Sequence, residues 1–309
     1  MKFLIIGGGG FVGSWLTREL VSRGHSVVII DPFIYYSDSD KDRLRKINSF
    51  KKKYLLKGAK IYHKKFEDGG EKILKKEKPD ILIHLAGIPL ERTDDIEISL
   101  KQLTDDVALT YRVIEVVKKF PVKKFIFMSS ISAYGDCGDI INEEYRLLPK
   151  TPYGISKASS EFLIKAQLKN WNIIRTTNIY GFGDLNERAC NIIVGKILKG
   201  EKFWINKNII MDFINVKDLV SGIAKVSLKA PVKETFHISG NHAIILIEFV
   251  NILKKHFTFE YEIKDIQDRP RRGTLNNEKA RKVLGWFPKM SIDKGVIDYV
   301  KYIKKYGIA

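Results

Sequence analysis

Tyr153 and Lys157 stand four residues apart, so any helix containing both carries them on one face. A phenol beside an ammonium can move protons. The cation favours the phenolate, whereas a tyrosine near its free value of about 10 is a poor base at neutral pH. The spacing alone says little: with 13 tyrosines and 54 lysines and arginines in 309 residues, about two such pairs arise by chance. The setting says more. Upstream lies a hydroxyl-bearing strand end, Phe127-Met128-Ser129-Ser130, and at the N-terminus the run Gly7-Gly8-Gly9-Gly10-Phe11-Val12-Gly13 follows the apolar residues 3–6. A strand, a glycine turn and a helix start suit a pyrophosphate. No Cβ holds the phosphates away, and the helix N-terminus offers free N–H groups and partial positive charge. In this order the parts read as a nicotinamide site with a tyrosine acid/base beside it.

The four glycines satisfy two fingerprints, Gly7-x-x-Gly10-x-x-Gly13 and Gly8-x-Gly10-x-x-Gly13, and spacing leaves the choice open. Asp31 ends the second apolar run, 18 residues past Gly13, near the offset of an acid that bonds the adenosine ribose hydroxyls. A carboxylate there repels a 2′-phosphate, and Pro32 and Phe33 follow where an NADP site often carries a base. NAD is therefore expected rather than NADP.

The elements that must position these residues alternate. Apolar runs at 3–6, 27–30, 81–85 and 125–128, with a further one at 173–175, read as buried parallel strands. Helical patterns fall at 11–23, 71–76, 100–119 and 153–168. This predicts an α/β, Rossmann-like, doubly wound parallel sheet with right-handed crossovers. After Gly181 the pattern loosens to helices at 191–198, 216–227, 247–256, 278–284 and 292–306, with short strands at 213–216 and 235–238. The expected division is a dinucleotide-binding domain over 1–180, to which 211–238 returns, and a smaller, mostly helical substrate-binding cap of 181–210 and 239–309.

Bulk properties narrow the function classes. The formal net charge of +18 comes mostly from lysines scattered over expected helices and loops, with no basic strip interleaved with aromatics. That pattern predicts solvated lysine faces rather than a nucleic-acid surface, with a field that helps collect phosphorylated substrates. Cys137 and Cys190 make no metal or redox spacing and fit a reducing compartment. The six histidines form no metal-ligand cluster, so no metal is expected. Residues 3–16 imitate a signal peptide, but four glycines interrupt them and no small-x-small cleavage site follows. No segment approaches the ~20 apolar residues of a membrane span. A cytoplasmic location without membrane contact is expected.

Taken together, the motifs resemble the extended short-chain dehydrogenase/reductases, in particular the NAD-dependent nucleotide-sugar epimerase/dehydratases of the UDP-glucose 4-epimerase-like kind. The resemblance runs nearly end to end. It covers residues 7–13, Asp31, His84-Leu85-Ala86-Gly87, Ser129-Ser130 with Tyr134-Gly135, and Tyr153 with Lys157. It continues through Arg175-Thr176-Thr177-Asn178-Ile179-Tyr180-Gly181, residues 212–218 and Leu284-Gly285-Trp286-Phe287-Pro288. It implies three catalytic residues. Ser130 would hydrogen-bond the reacting sugar hydroxyl, Tyr153 would be the acid/base, and Lys157 would hold the nicotinamide ribose and favour the phenolate. It implies cofactor contacts at Gly7, Gly10, Phe11, Val12, Gly13, Asp31 and Phe33, at Leu85, Ala86, Gly87 and Met128, and at Tyr153 and Lys157. Substrate contacts are implied at Ser130, Ser132, Asn178 and Arg269.

The chain departs from the family pattern at four places. Lys65-Phe66 occupies the adenine-contacting segment, with Lys65 where an Asp is common, so adenine recognition is expected from backbone and Phe66. The Asn-x-x-Gly-Thr segment reads Asp106-Val107-Ala108-Leu109-Thr110. The dehydratases' acidic pair is replaced by Ile131 and Ser132, which removes a proton donor for a leaving hydroxyl. A diphosphate-clamping arginine is replaced by Met211 after a shortened turn, Asn206-Lys207-Asn208. Arg269 is kept, and Arg188, Arg271 and Arg272 are other available cations.

The resemblance implies an NAD-dependent epimerase acting at C4 of a nucleotide sugar, a UDP-sugar first. The alternatives are an NAD(P)-dependent keto-sugar reductase or alcohol dehydrogenase using the same three residues, and a non-catalytic dinucleotide-binding protein. It also implies a homodimer built on helices at 100–119 and 156–168.

Overall fold

Strands buried on both faces of a parallel sheet are near-continuous apolar runs, and the central strands of this chain are of that kind. The computed structural model describes residues 1–34, 41–89, 95–138, 140–186, 188–266 and 273–306. In chain order the first half comprises β1 (Lys2–Ile6), α1 (Phe11–Ser22), β2 (Ser26–Ile30), α2 (Lys41–Phe50) running into a π turn (Lys51–Leu55), β3 (Lys60–Tyr62), α3 (Gly70–Glu77) and β4 (Ile81–His84). Next come α4 (Ile96–Lys101), a second π turn (Gln102–Asp106), α5 (Val107–Lys119), β5 (Lys124–Ser130), a 3₁₀ turn (Ile131–Tyr134), β6 (Ile140–Ile141), α6 (Pro152–Gln167) and β7 (Trp171–Thr176). The remainder is β8 (Asn178–Tyr180), α7 (Ala189–Lys199), β9 (Trp204–Asn206), β10 (Ile210–Asn215), α8 (Val216–Lys229), β11 (Glu234–Ile238), β12 (Ala243–Ile245), α9 (Leu246–Lys254), β13 (Glu262–Lys264), β14 (Thr274–Leu275), α10 (Glu278–Leu284) and α11 (Ile292–Tyr306).

The main sheet runs β11-β7-β5-β4-β1-β2-β3, with every neighbouring pair parallel. This is the doubly wound order, and it reverses between β1 and β4, where the carboxyl ends of adjacent strands open a crevice. One face is covered by α3, α5 and α6, whose Ile73, Val113, Ile114 and Ile164 pack on Leu4, Leu82 and Phe125. The other is covered by α1 and α8 and continues without a break into α7, α9 and α11. Fully burying one such side chain contributes roughly 1.5–3 kcal/mol, so these two layers are the main source of stability.

Three differences from the expected elements have physical causes. The segment Lys41–Leu55 was not expected to be helical, because its few apolar residues are diluted by lysines and arginines; Ile47, Phe50 and Leu55 nonetheless reach the core. The helix expected at 100–119 starts earlier, at Ile96, and is interrupted by the π turn that carries Gln102 and Asp106 inward. The strand expected at 213–216 is part of β10, which pairs with β8 and β12 outside the main sheet. The chain leaves that sheet at Thr177, so of the returning stretch only β11 joins it, with α8 covering its face. Among the described residues, no helix is long and apolar enough to cross a membrane.

Candidate active site

The crevice begins at the glycine loop. Gly7 has φ +82°, and a Cβ there would stand 2.7 Å from the backbone nitrogen of Ala86; one on Gly13 would stand 2.4 Å from the Gly7 oxygen. Both positions need glycine for packing. Gly10 does not: a Cβ there would meet only the Gly7 oxygen, at 3.3 Å. The strict demand falls on Gly7 and Gly13 and also on Gly8, whose Cβ would stand 2.6 Å from the buried Ile29 side chain, so packing accommodates both readings of the fingerprint, with Gly10 facing open space. Gly10 caps α1 without a side chain. The first N–H groups of the helix, those of Phe11 and Val12, therefore face the crevice side of the loop, and this open cradle fits a dinucleotide pyrophosphate.

Asp31 holds the loop from the second strand. Its carboxylate accepts hydrogen bonds from Gly9 N at 2.8 Å and Phe33 N at 2.6 Å. Burial pushes the Asp31 carboxyl upward, opposed by those two N–H groups and by Lys51. The turn forces Phe33 to φ +55°, an uncommon conformation for a bulky residue, and lays its ring against Gly9. Lys51, from the first π turn, lies beneath the loop with Nζ 3.4 Å from the Gly9 oxygen. Burial lowers its pKa to about 8, with Asp184 and Asp31 opposing the shift.

The residues expected to move protons lie at the start of α6 and the end of β5. Thr151 caps α6 through a bond from Gly154 N, and Pro152 occupies its first turn. A Cβ on Gly154 would stand 2.4 Å from the Ser132 oxygen, so this glycine lets the start of α6 press against the turn that follows β5. That turn carries Ser130, whose hydroxyl donates to Ser132 Oγ at 3.0 Å and accepts from Ser132 N at 3.1 Å. One turn into α6, Lys157 Nζ lies 5.4 Å from the centroid of the Tyr153 ring and 5.3 Å from that of Phe127. Leu85 and Ala86 continue β4 beside Gly7, through Leu85 N donating to the Ile6 oxygen. Gly87, at φ +154°, faces both Lys157 Nζ and Asp106 Oδ2. Met128 is half-buried on β5. Among the described residues no group of His, Cys, Asp and Glu could hold a metal ion.

Beside Ser130 and Lys157 is a buried ionic network that was not anticipated. Arg175 donates to both Glu161 oxygens (2.9 and 2.6 Å) and to the Tyr134 hydroxyl at 2.5 Å. Tyr134 in turn bonds His237 Nε2 at 2.6 Å, and Ser129 donates to Glu161 at 2.6 Å. Burial, then Arg175, lowers the His237 pKa to about 3. The ring is therefore neutral, with Nδ1–H directed at the Asn276 oxygen. A signal existed: Glu161 follows Tyr153 and Lys157 at the same four-residue interval on one helix face.

A family model described as the NAD dependent epimerase/dehydratase family matches residues 3–239. The chain belongs to this family. A UDP-glucose 4-epimerase of Lactobacillus helveticus is 27% identical over 94% of this chain and 92% of its own. A dTDP-glucose 4,6-dehydratase of Escherichia coli is 25% identical over 98% and 92%. The crystal structure of a UDP-glucuronic acid 4-epimerase from Bacillus cereus, with UDP-glucuronic acid and NAD, superposes with a TM-score of 0.87 at 24% identity, covering 99% of each chain. The family is NAD-dependent, and the glycine cradle with Asp31 suits that cofactor.

Other positions diverge from the family pattern. The Phe66 ring, expected to help recognise adenine, packs in the core against Gly70, whose Cβ would stand 2.4 Å from it; Lys65 beside it is exposed. An aromatic ring gains more from core burial than from a solvated pocket edge. Asn178 donates to the Asp212 oxygen at 3.1 Å and ties β8 to β10. Met211 is packed against the core. Arg188 is paired with Asp184 at 3.0 Å. Arg269, Arg271 and Arg272 lie outside the described residues.

Proposed function

We propose that this family member is an NAD-dependent epimerase of a nucleotide sugar, acting at C4, with a UDP-sugar as substrate. The observation that carries the reading is the buried Lys157 ammonium beside the half-buried Tyr153 ring, next to the Ser130 hydroxyl turn. The Tyr153 phenolate takes the proton of the sugar hydroxyl, and Ser130 orients that oxygen. Lys157 stabilises the phenolate and holds the nicotinamide ribose. Bound NAD supplies a reversible hydride acceptor. When the keto-sugar has presented its other face, Tyr153 returns the proton. Relatives of both kinds are similar to the chain; Ile131 and Ser132, which offer no carboxyl to protonate a leaving hydroxyl, favour this over dehydration. We further propose a homodimer through α5 and α6.

A net keto-sugar reductase is the second reading. Met211, apolar where the family clamps a diphosphate with arginine, favours it. Pure protein incubated with UDP-glucose, UDP-N-acetylglucosamine and UDP-glucuronic acid, without added reductant, should interconvert one of them with its C4 epimer. Failure on all three, with stoichiometric NADH consumption on a keto-sugar, would establish the second reading instead. Tyr153→Phe should lower turnover by about 10²–10⁴-fold while NAD stays bound; unchanged turnover removes Tyr153 from the chemistry.

A further inference from the structure

Lys157 is buried, yet among the described residues its ammonium makes no hydrogen bond or ion pair. The carboxylate that faces it is Asp106. Lys157 Nζ and Asp106 Oδ2 each stand 3.2 Å from the point where a side chain on Gly87 would begin. Gly87, at φ +154°, keeps that gap open.

Asp106 is itself buried and poorly satisfied. Both its oxygens accept from one donor, Ile88 N, at 3.1 and 3.0 Å, although an ionised carboxylate has about four acceptor sites. Burial pushes its carboxyl upward, and Lys157 is the first group to oppose that shift. The placement is built into the fold. The π turn Gln102–Asp106 turns both its ends inward, and Gln102 donates to the Ile88 oxygen at 3.2 Å. Residue 88 is thus gripped from both sides, and π turns recur at functional sites.

We propose that Asp106 is a positioning residue, the counter-charge that sets how much of the Lys157 cation reaches Tyr153. This rests on the reading of Tyr153 as the acid/base. An ionised Asp106 draws the ammonium across the Gly87 gap and adds a negative charge that opposes the phenolate. The other groups around the pair are few. His84 faces Lys157 from β4 and is neutral, its pKa lowered to about 3 by burial and then by Lys157. Asp105 adds a weaker like charge to Asp106. Phe127 and Tyr153 contribute rings from β5 and α6.

Asp106→Asn keeps the shape and an oxygen for Ile88 N–H but removes the charge. The test is the tyrosinate absorbance titration of the NAD-loaded protein, with the Tyr153 signal isolated by subtracting Tyr153→Phe. In Asp106→Asn the Tyr153 signal should move to lower pH by about half a unit or more, and the acid limb of the pH–rate profile should move with it. The shift should shrink when Lys157→Met is added, because only the direct repulsion between Asp106 and the phenolate then remains. Asp106→Ser, smaller and equally neutral, should shift the same way if the Asn variant folds poorly. An unmoved titration with a uniformly lower rate would leave Asp106 a structural residue and overturn the proposal. A shifted titration in a protein that epimerises no sugar would keep the counter-charge and remove the epimerase reading.

Discussion

Asp212 shows at the scale of one residue how burial sets chemistry. It is 1% exposed on β10. The N–H groups of His242, Leu275, Asn241 and Gly240 converge on it, but neither carboxylate oxygen has a hydrogen bond of good geometry. Burial therefore dominates and pushes its carboxyl from 3.8 up to about 7. A group raised in the folded state binds more protons there than in the unfolded chain. Its stabilising contribution is full below about pH 4 and is lost as pH rises through 7. Asp212→Asn should thus melt higher than the parent at about pH 8, by roughly a few °C, and the advantage should shrink toward about pH 4. Parallel melting curves would show that Asp212 does not titrate in this range. The same contrast explains which candidate residues stood out in the sequence. Tyr153, Lys157, Ser130 and the glycines stand out not by spacing alone but by the order of glycine turn, hydroxyl strand end and helix in which they occur. The roles of Asp106, Asp212 and Arg175 depend on what distant strands and helices bring against them, and no local pattern encodes that.

At the scale of elements, the central strands of the main sheet were legible because burial on both faces demands continuous apolar runs, whereas the edge strand β3, Lys60–Tyr62, was not, because it is short and largely exposed. The segment Lys41–Leu55 was not, because its partners are remote. Phe50 packs edge-on to Phe182 and against Tyr306 of α11. Those contacts hold the first π turn in place and deliver Lys51 beneath Gly9. A cation there adds positive potential behind the pyrophosphate cradle. Lys51→Met, similar in reach but neutral, should weaken NAD binding about tenfold at neutral pH. With a Lys51 pKa of about 8, parent affinity should also decline as pH rises through that value, while the variant stays flat. Calorimetric titration with NAD checks both; equal affinities would make Lys51 a packing residue alone.

For the whole molecule, right-handed crossovers narrow the strand order to a few arrangements, and the main sheet adopts one of them. The small sheets were not predictable, since strands of two or three residues paired across long separations leave almost no periodic trace. The outer face of the helical layer, however, carries a pattern that the fold leaves unused. Ile96 and Leu100 on α4, Leu103 on the second π turn, Tyr111 on α5, and Ile155 and Phe162 on α6 are exposed, Ile96 to 73% and Phe162 to 61%. Helices α5 and α6 are neighbours, so these side chains form one apolar face, and faces of this kind on a monomer mark association sites. Two copies related by a two-fold axis would close it as a four-helix bundle and bury Phe162 against its symmetry mate. Light scattering should therefore give twice the mass of the 35.5 kDa chain. Phe162→Glu should give a folded monomer, because a charge in a desolvated interface core costs several kcal/mol while costing little on an exposed helix. A parent protein that scatters as a monomer would leave this face without the partner proposed for it.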